Sequence, residues 1–294
     1  MEASIMFKHF IITRMNVDWN LSRHRHDRNS YDFLIHRFNL FESICYPSVL
    51  SQKNKNFTWL ILFDAALPIG FKQKVESYCS NSSTIKIIPV YIQSKTTLLN
   101  TVREIIQQNI SSETPYLITT SIDSDDAISQ NFVSLIQENF NNQDFEFINF
   151  PFGYLYRIKE QNLYLREWLT SPFYTLVENV NNFKTVLQYG HTVIKNHKNR
   201  QIITKPVWLM IAHGENVRTN FDVSAAWQPL YRLGSDFTVD LEFPSKSRSY
   251  YLKEILMAIH QVYASRKKWD TKKVKIRKII NILSPALLRF ARKV

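Results

Sequence analysis

Glycine is scarce in this sequence, with 5 residues in 294, and neither GxGxxG nor GxxxxGK followed by Ser or Thr occurs. The chain therefore lacks the glycine-rich loops that cradle phosphate in many nucleotide-binding proteins. Only two cysteines are present, far apart, which argues against a disulfide framework or a zinc cluster. No run reaches the ~20 apolar residues that a membrane-spanning helix needs, and the apolar stretch at the N-terminus is too short for a signal peptide. These absences favour a protein of the cytoplasm with reduced thiols.

Acidic residues are almost missing from one part of the chain. Residues 246–294 contain 14 Lys and Arg against Glu254 and Asp270, whereas residues 1–245 hold 23 of each sign, so the net charge of +12 lies in the tail. A neutral body argues against a nucleic-acid partner. From Lys272 onward, apolar residues recur at helical spacing, and Pro285 is expected to interrupt the helix. The basic helical stretch 272–294 predicts either contact with an anionic membrane surface or docking on the chain's own domain.

The first 140 residues alternate apolar, β-branched runs with helical patterns. We predict strands over residues 10–13, 57–63, 84–91 and 116–122, and helices over 31–52 (broken at Pro47), 68–78, 98–109 and 130–140, the last capped by Ser129. This order is typical of an α/β fold with a mostly parallel sheet between helices. Beyond residue 145, apolar runs joined by short turns predict a mixed or antiparallel half, and 216–244 is predicted to be a loop. We expect one domain over 1–245 and a helical tail over 246–294.

An acidic cluster follows the fourth predicted strand. In TTSIDSDDAIS, Asp123, Asp125 and Asp126 come directly after the apolar run YLI. Ligands bind at the carboxyl ends of the strands in such sheets, and carboxylate oxygens suit Mg²⁺ or Mn²⁺. Such an ion would neutralise a departing diphosphate. The alternative is a solvated turn in which Asp125 and Asp126 face the N-terminus of the next helix.

The order strand–DxD–helix resembles the corresponding segment of GT-A fold glycosyltransferases. Further stretches occur in the same order along the chain: FIITRMNV, SICYPSVLSQ, FTWLILFD, TTSIDSDDAI, FINFPFGY, SPFYTLVE and KPVWLMIAHGENV. Together, over roughly residues 8–220, they resemble the rhamnosyltransferase family of bacterial GT-A enzymes. The resemblance implies a GT-A-like, Rossmann-type sheet flanked by helices, and a sugar transfer from a nucleotide donor.

The resemblance also implies roles for individual residues. Asp123 and Asp125 would hold the metal and the nucleotide diphosphate, and His213 would complete the metal shell. Arg14 and Asp64 would lie in the nucleotide pocket, where Arg14 could pair with phosphate. The residues themselves leave open that His213 only hydrogen-bonds at a strand end and that Arg14 and Asp64 form structural ion pairs.

Two departures from the family pattern accompany the acidic cluster. Ser124 stands where a DNDD-like motif has Asn, and Ser121 stands where an Arg often precedes the first Asp. The first change leaves the metal ligands intact, whereas the second removes one phosphate contact and leaves the donor open. An inverting transfer also needs a general base to take the acceptor's hydroxyl proton. Glu178, which ends SPFYTLVE, is the candidate, and Asp222 is the alternative.

The sequence thus predicts a Mn²⁺- or Mg²⁺-dependent glycosyltransferase that moves a sugar, with rhamnose as the candidate, from a nucleotide sugar to a hydroxyl group. The acceptor would be a glycan or a lipid-linked sugar in bacterial polysaccharide or glycolipid synthesis, which predicts a peripheral location at the inner face of the membrane. Two alternatives stay open. One is another metal-dependent phosphate enzyme, such as a nucleotidyltransferase or phosphohydrolase. The other is a non-catalytic module that binds membrane surfaces.

Overall fold

The computed structural model describes residues 7–17, 27–82, 84–214, 225–243, 247–266 and 270–293. Twelve strands occur in these ranges: β1 (Phe7–Arg14), β2 (Thr58–Asp64), β3 (Lys86–Ile92), β4 (Tyr116–Asp123), β5 (Ala127–Ile128), β6 (Phe145–Asn149), β7 (Phe152–Arg157), β8 (Asn162–Glu167), β9 (Thr175–Asn179), β10 (Asn199–Gln201), β11 (Trp208–Ala212) and β12 (Ala226–Gln228). The same ranges contain eight α-helices: α1 (Tyr31–Leu40), α2 (Tyr46–Leu50), α3 (Ile69–Asn81), α4 (Leu98–Gln107), α5 (Phe132–Glu138), α6 (Arg248–Ala264), α7 (Lys272–Leu283) and α8 (Pro285–Lys293).

The central sheet has seven strands in the order β10-β6-β9-β4-β1-β2-β3. β1, β2, β3 and β4 run parallel to one another, and β9 is antiparallel to both β4 and β6. The strands are buried on both faces because neighbouring side chains alternate between two cores. Ile11 and Ile61 pack with helices α1, α3 and α5, whereas Ile12 and Leu60 pack with α4. The predicted α/β class with a mostly parallel sheet flanked by helices is confirmed.

A second, mixed sheet has the order β12-β8-β7-β11-β5. β7 and β11 are parallel, and the other neighbours are antiparallel. Gly153 on β7 lies under the ring of Trp208 on β11, since a Cβ at this glycine would be 1.9 Å from a ring carbon. The short strand β5 follows the acidic cluster directly and pairs with β11. The two sheets therefore meet at the acidic cluster.

Several local predictions differ from the structure. Pro47 does not break the first helical stretch, because α1 continues through a π-helical turn, Phe41–Cys45, into α2, where the proline occupies the first turn. α5 begins after Asn131, so Ser129 is not its cap; the Ser129 N–H donates instead to Val207 O beside β11. The predicted loop contains β12 and a 3₁₀ turn, Leu230–Leu233, and it contributes Phe237 to a core. Residues 216–224 and 244 of that loop lie outside the described residues.

The tail consists of α6, α7 and α8. Ser284 separates α7 from α8, whose first residue is Pro285, so the predicted interruption is confirmed. α7 docks on the second sheet through buried Ile282 and through an ion pair of Arg277 with Glu167 at 2.6 Å. Among the helices of the described ranges, none is both long and apolar enough to cross a bilayer.

Candidate functional site

The acidic cluster lies at the carboxyl edge of the central sheet. β4 ends at Asp123, whose side chain is 38% exposed, and the chain then turns so that the Asp126 N–H donates to Asp123 O. Asp125 and Asp126 lie in this turn and are buried. The register of β1 and β4 places Arg14 directly opposite Asp123. Burial of this much negative charge requires compensating partners.

Arg14 provides the first partner. Its guanidinium donates to Asp123 Oδ1 at 2.7 Å. The two residues meet because parallel strands that end at the same edge bring their terminal side chains together. The structural ion pair that the sequence left open for Arg14 is therefore present.

Asp125 is held by two cationic or hydrogen-bonding groups at once. Its Oδ2 lies 3.0 Å from Nε2 of His213, which follows β11, and 3.2 Å from Nη1 of Arg37 on α1. Burial alone would raise the pKa of Asp125, but the charge of Arg37 and the hydrogen bond with His213 outweigh it. The pKa of this carboxyl group therefore lies well below its ordinary value, and Asp125 is ionised at neutral pH.

α1 contributes two residues that sequence analysis did not identify. Arg37 also donates through Nε to Met15 O at 3.3 Å, which fixes its side chain next to β1. His36 Nε2 lies 3.4 Å from His213 Nδ1, so Asp125, His213 and His36 form a chain of polar contacts. The only signal in the sequence is the adjacent pair His36–Arg37 inside the mostly apolar stretch FLIHRFNL.

Asp126 links the two sheets. Its Oδ1 accepts a hydrogen bond from the Ile211 N–H of β11 at 3.0 Å. Burial and the neighbouring charges of Asp125 and Asp123 raise the pKa of Asp126 well above its ordinary value. Because Ile211 precedes His213 by two residues, this bond fixes the end of β11 next to the acidic turn. Asp126 thus positions His213 rather than facing the helix α5.

Asp64 ends β2 at the same edge of the sheet. Its Oδ1 accepts from the Ala66 N–H at 2.8 Å, which stabilises the turn after the strand. Its own N–H donates to Asn16 Oδ1 at 3.0 Å, in the segment that follows Arg14. Asp64 therefore orders the edge of the site, and its role toward a nucleotide stays a prediction.

Glu178 does not join this site. It lies on β9 opposite Leu117, near the start of β4, whereas Asp123 is at the end of β4. Six residues along a strand correspond to about 20 Å. Its carboxylate is buried and accepts from the N–H groups of Lys184 and Thr185 at 3.0 and 2.9 Å. This placement argues against the predicted role of Glu178 as general base, and Asp222 lies outside the described residues.

Three tryptophans that could stack on a sugar, Trp168, Trp208 and Trp227, lie in different surroundings. Trp208 is fully buried, with its indole N–H on Phe150 O, so it cannot stack on a sugar. Trp227 donates to Asn162 Oδ1 on the second sheet. Trp168 is half-buried, and its ring is covered by the guanidinium of Arg166 at 3.7 Å from the centroid. The three rings form no common platform.

The predicted metal ligands meet only in part. Asp125 and His213 are in contact, whereas Asp123 faces Arg14. Within the ranges that the structure describes, no three His, Cys, Asp or Glu side chains are arranged to hold a metal ion. The metal site at Asp123, Asp125 and His213 therefore stays a prediction.

Comparison with known proteins gives one extensive sequence match. The model of the family described as "Putative rhamnosyl transferase" matches residues 19–224, which is more than two thirds of the chain. A search of curated proteins found no match. The match includes the acidic cluster, Arg37 and His213, but not Arg14.

Solved structures resemble the chain loosely. TarS 1–349 of S. aureus in complex with UDP-GlcNAc has 10% identity, covers 94% of this chain and 71% of its own, and gives a TM-score of 0.40. The mannosyltransferase PcManGT from Pyrobaculum calidifontis in complex with GDP-Man and Mn²⁺ has 10% identity, coverages of 97% and 73%, and a TM-score of 0.38. These values are too low for ligand roles to be transferred residue by residue.

Proposed function

Because the chain belongs to the rhamnosyl transferase family and is therefore a glycosyltransferase, we propose that it moves a sugar from a nucleotide-sugar donor to a hydroxyl group. Rhamnose is the candidate sugar, and a glycan or lipid-linked sugar of bacterial polysaccharide or glycolipid synthesis is the candidate acceptor. A lipid-linked acceptor would require the enzyme at the inner face of the membrane, with the tail 272–294 as the proposed contact.

One observation carries the proposal: two ion pairs, Arg14–Asp123 and Arg37–Asp125, lie side by side at the carboxyl edge of the central sheet. Ligands of open α/β sheets bind at this edge. Guanidinium groups are planar and match the oxygens of a diphosphate in a bidentate manner. Arg14 and Arg37 would bind the donor diphosphate, and they would stabilise the negative charge that develops on it as the sugar leaves.

The residues present fit Mn²⁺ or Mg²⁺ in their chemistry. Carboxylate oxygens and an imidazole nitrogen are suitable ligands, and the low pKa of Asp125 keeps one ligand ionised. Asp123, Asp125 and His213 would hold the ion, which would supply positive charge to the diphosphate when bound. Asp126 and His36 would keep His213 in place. Asp222 is the remaining candidate for the general base.

The test is a thermal-shift panel with UDP, GDP, dTDP and their sugars, each with and without Mn²⁺. The wild type is compared with Asp125→Ala and with Glu104→Ala, a control at an exposed acidic position on α4. We expect one nucleotide sugar to raise the melting temperature in a Mn²⁺-dependent manner. The shift should disappear in Asp125→Ala and persist in Glu104→Ala.

Product analysis with the nucleotide sugar that binds then separates the reactions. Transfer of the sugar to a hydroxyl acceptor would support the proposal. Release of the nucleotide and free sugar alone, with every acceptor offered, would indicate a phosphohydrolase. The absence of a shift with all nucleotide sugars would contradict the proposed donor class.

A further inference from the structure

Helix α6 is apolar on two sides. Its inner side, with buried Ala258 and half-buried Ile255 and Ile259, packs against Ala226 and Ile282. Its outer side carries further large apolar side chains: Leu252 is 64% exposed, Leu256 68% and Tyr263 77%. These three positions are four and seven residues apart, so they form one stripe along the helix. An exposed stripe of large apolar side chains marks an interaction surface, which indicates that the outer stripe binds a partner.

α7 and α8 also carry exposed apolar side chains. Ile276 and Leu283 on α7 are 49% and 55% exposed, and Leu287 and Phe290 on α8 are 64% and 71% exposed. Among the described residues, fifteen large apolar side chains are exposed, and nine of them lie between 248 and 293. The exposed apolar surface is therefore concentrated in the tail. We call these side chains on α6, α7 and α8 the outer apolar face.

Hydrogen bonds attach α7, which bears part of the outer apolar face, to α6 and to the body of the protein. Lys275 of α7 donates to Tyr263 O of α6 at 2.9 Å. Gln228 of β12 holds α7, since its Nε2 donates to Asn281 O at 2.9 Å. Arg232 of the 3₁₀ turn Leu230–Leu233 donates to Ile282 O at 2.9 Å. A partner of the tail would therefore be held at a fixed orientation relative to the second sheet.

The positive charge of the tail indicates which class of partner binds the outer apolar face. Residues 246–294 hold 14 basic and 2 acidic residues, and one of the two, Asp270, is already paired with Lys278 at 2.9 Å. Exposed basic residues accompany the apolar stripe, among them Arg248, Lys253 and Lys272. A second copy of the chain would bring a like-charged surface to the same place, which is repulsive. Apolar side chains with flanking Lys and Arg and with Tyr and Phe at the rim are typical of helices that lie in a membrane interface.

We infer that the outer apolar face, with α6 as its main element, binds an anionic lipid bilayer. This inference rests on the proposed membrane location of the enzyme and extends it from 272–294 to α6. The apolar side chains would enter the boundary between headgroups and acyl chains, and the basic residues would contact anionic headgroups. The bound enzyme would then meet acceptors that are anchored in the same membrane.

The test is co-sedimentation of the full chain with vesicles of phosphatidylcholine alone and with 30% phosphatidylglycerol. Leu256→Asp places a charge in the stripe at an exposed position, so the fold should be retained. Leu169→Asp is the matched control, since Leu169 is 52% exposed outside the tail. We expect the wild type and Leu169→Asp to prefer the anionic vesicles about tenfold, and Leu256→Asp to bind about tenfold less. Binding should also weaken between 0.1 and 0.5 M salt, because salt screens the headgroup contacts.

Three results would overturn the inference. The wild type could fail to bind anionic vesicles, or Leu256→Asp could bind them as well as Leu169→Asp. A dimer that Leu256→Asp dissociates would assign the face to a second copy instead. The thermal shift with nucleotide sugars should be the same in Leu256→Asp and in the wild type, so failure of vesicle binding and failure of the glycosyltransferase assignment are told apart.

Discussion

Gly153→Ala tests the contact on which the second sheet depends. The ring of Trp208 lies over this glycine, and the added Cβ would be 1.9, 2.1 and 2.2 Å from three ring carbons. The ring has little room to move, because it stacks on Phe173 with centroids 5.2 Å apart and donates to Phe150 O at 2.7 Å. The substitution therefore requires Trp208 to leave its position at the start of β11.

The expected cost follows from the contacts that would be lost. Overpacking costs about 2 kcal/mol, the lost hydrogen bond of the buried indole N–H costs about 1 kcal/mol, and the weakened ring stack costs about 1 kcal/mol. Together they lower the free energy of unfolding by roughly 4 kcal/mol, which corresponds to a fall of about 10 °C in melting temperature for a chain of this size.

Differential scanning calorimetry of Gly153→Ala, the wild type and Gly70→Ala measures this fall. Gly70 is the control because a Cβ there meets no atom within 4 Å and the residue lies on α3, where alanine is tolerated. Gly70→Ala should melt at or slightly above the temperature of the wild type. Equal melting of the two variants would show that Trp208 does not occupy the position described.

Three further predictions concern charged groups. Arg37→Gln should tighten Mn²⁺ binding severalfold, because Arg37 competes with the metal for Asp125, and weaken nucleotide-sugar binding severalfold, because Arg37 favours the diphosphate. Calorimetry measures both affinities. A change of both affinities in the same direction would refute this reasoning. Glu178→Gln should keep KM and kcat within about twofold. It should lower the melting temperature, because the carboxylate accepts from the N–H groups of Lys184 and Thr185. A large loss of kcat at unchanged stability would instead support Glu178 as the general base. Burial lowers the pKa of His9 to about 3, so the unfolded chain takes up a proton first and stability falls as the pH drops below about 6.5. This fall should be shallower in His9→Gln, and identical pH profiles would contradict it.

The half of the fold that the sequence predicted best is the central sheet. β1, β2, β3 and β4 each begin and end within about three residues of the predicted runs, because strands buried on both faces are almost wholly apolar. The meeting of Arg14 with Asp123 followed from parallel strands that end at one edge. These are local patterns whose geometric consequence does not depend on distant parts of the chain.

Strand direction could not be predicted in the same way. Glu178 lies near the end of β9 as Asp123 does on β4, but β9 runs antiparallel to β4, so the two carboxylates are at opposite edges. An apolar run of five residues has the same appearance in either direction. Arg37 was missed for a related reason. Whether a polar residue of a helix reaches a strand end depends on how the helix docks, and α1 shows no periodicity that reveals it.

The position of β9 between β4 and β6 has a consequence for biosynthesis. β6 is synthesised before β9, yet its partners in the sheet are β9 and β10, both later in the chain. A nascent chain that ends before residue 175 can pair β1 to β4, but it has no strand to which β6 can be added. We expect the ribosome-bound protein to hold an incomplete, four-stranded sheet with an open edge at β4 until β9 emerges. Strand edges of this kind pair readily with other chains, so this interval of translation is when the protein depends most on chaperones.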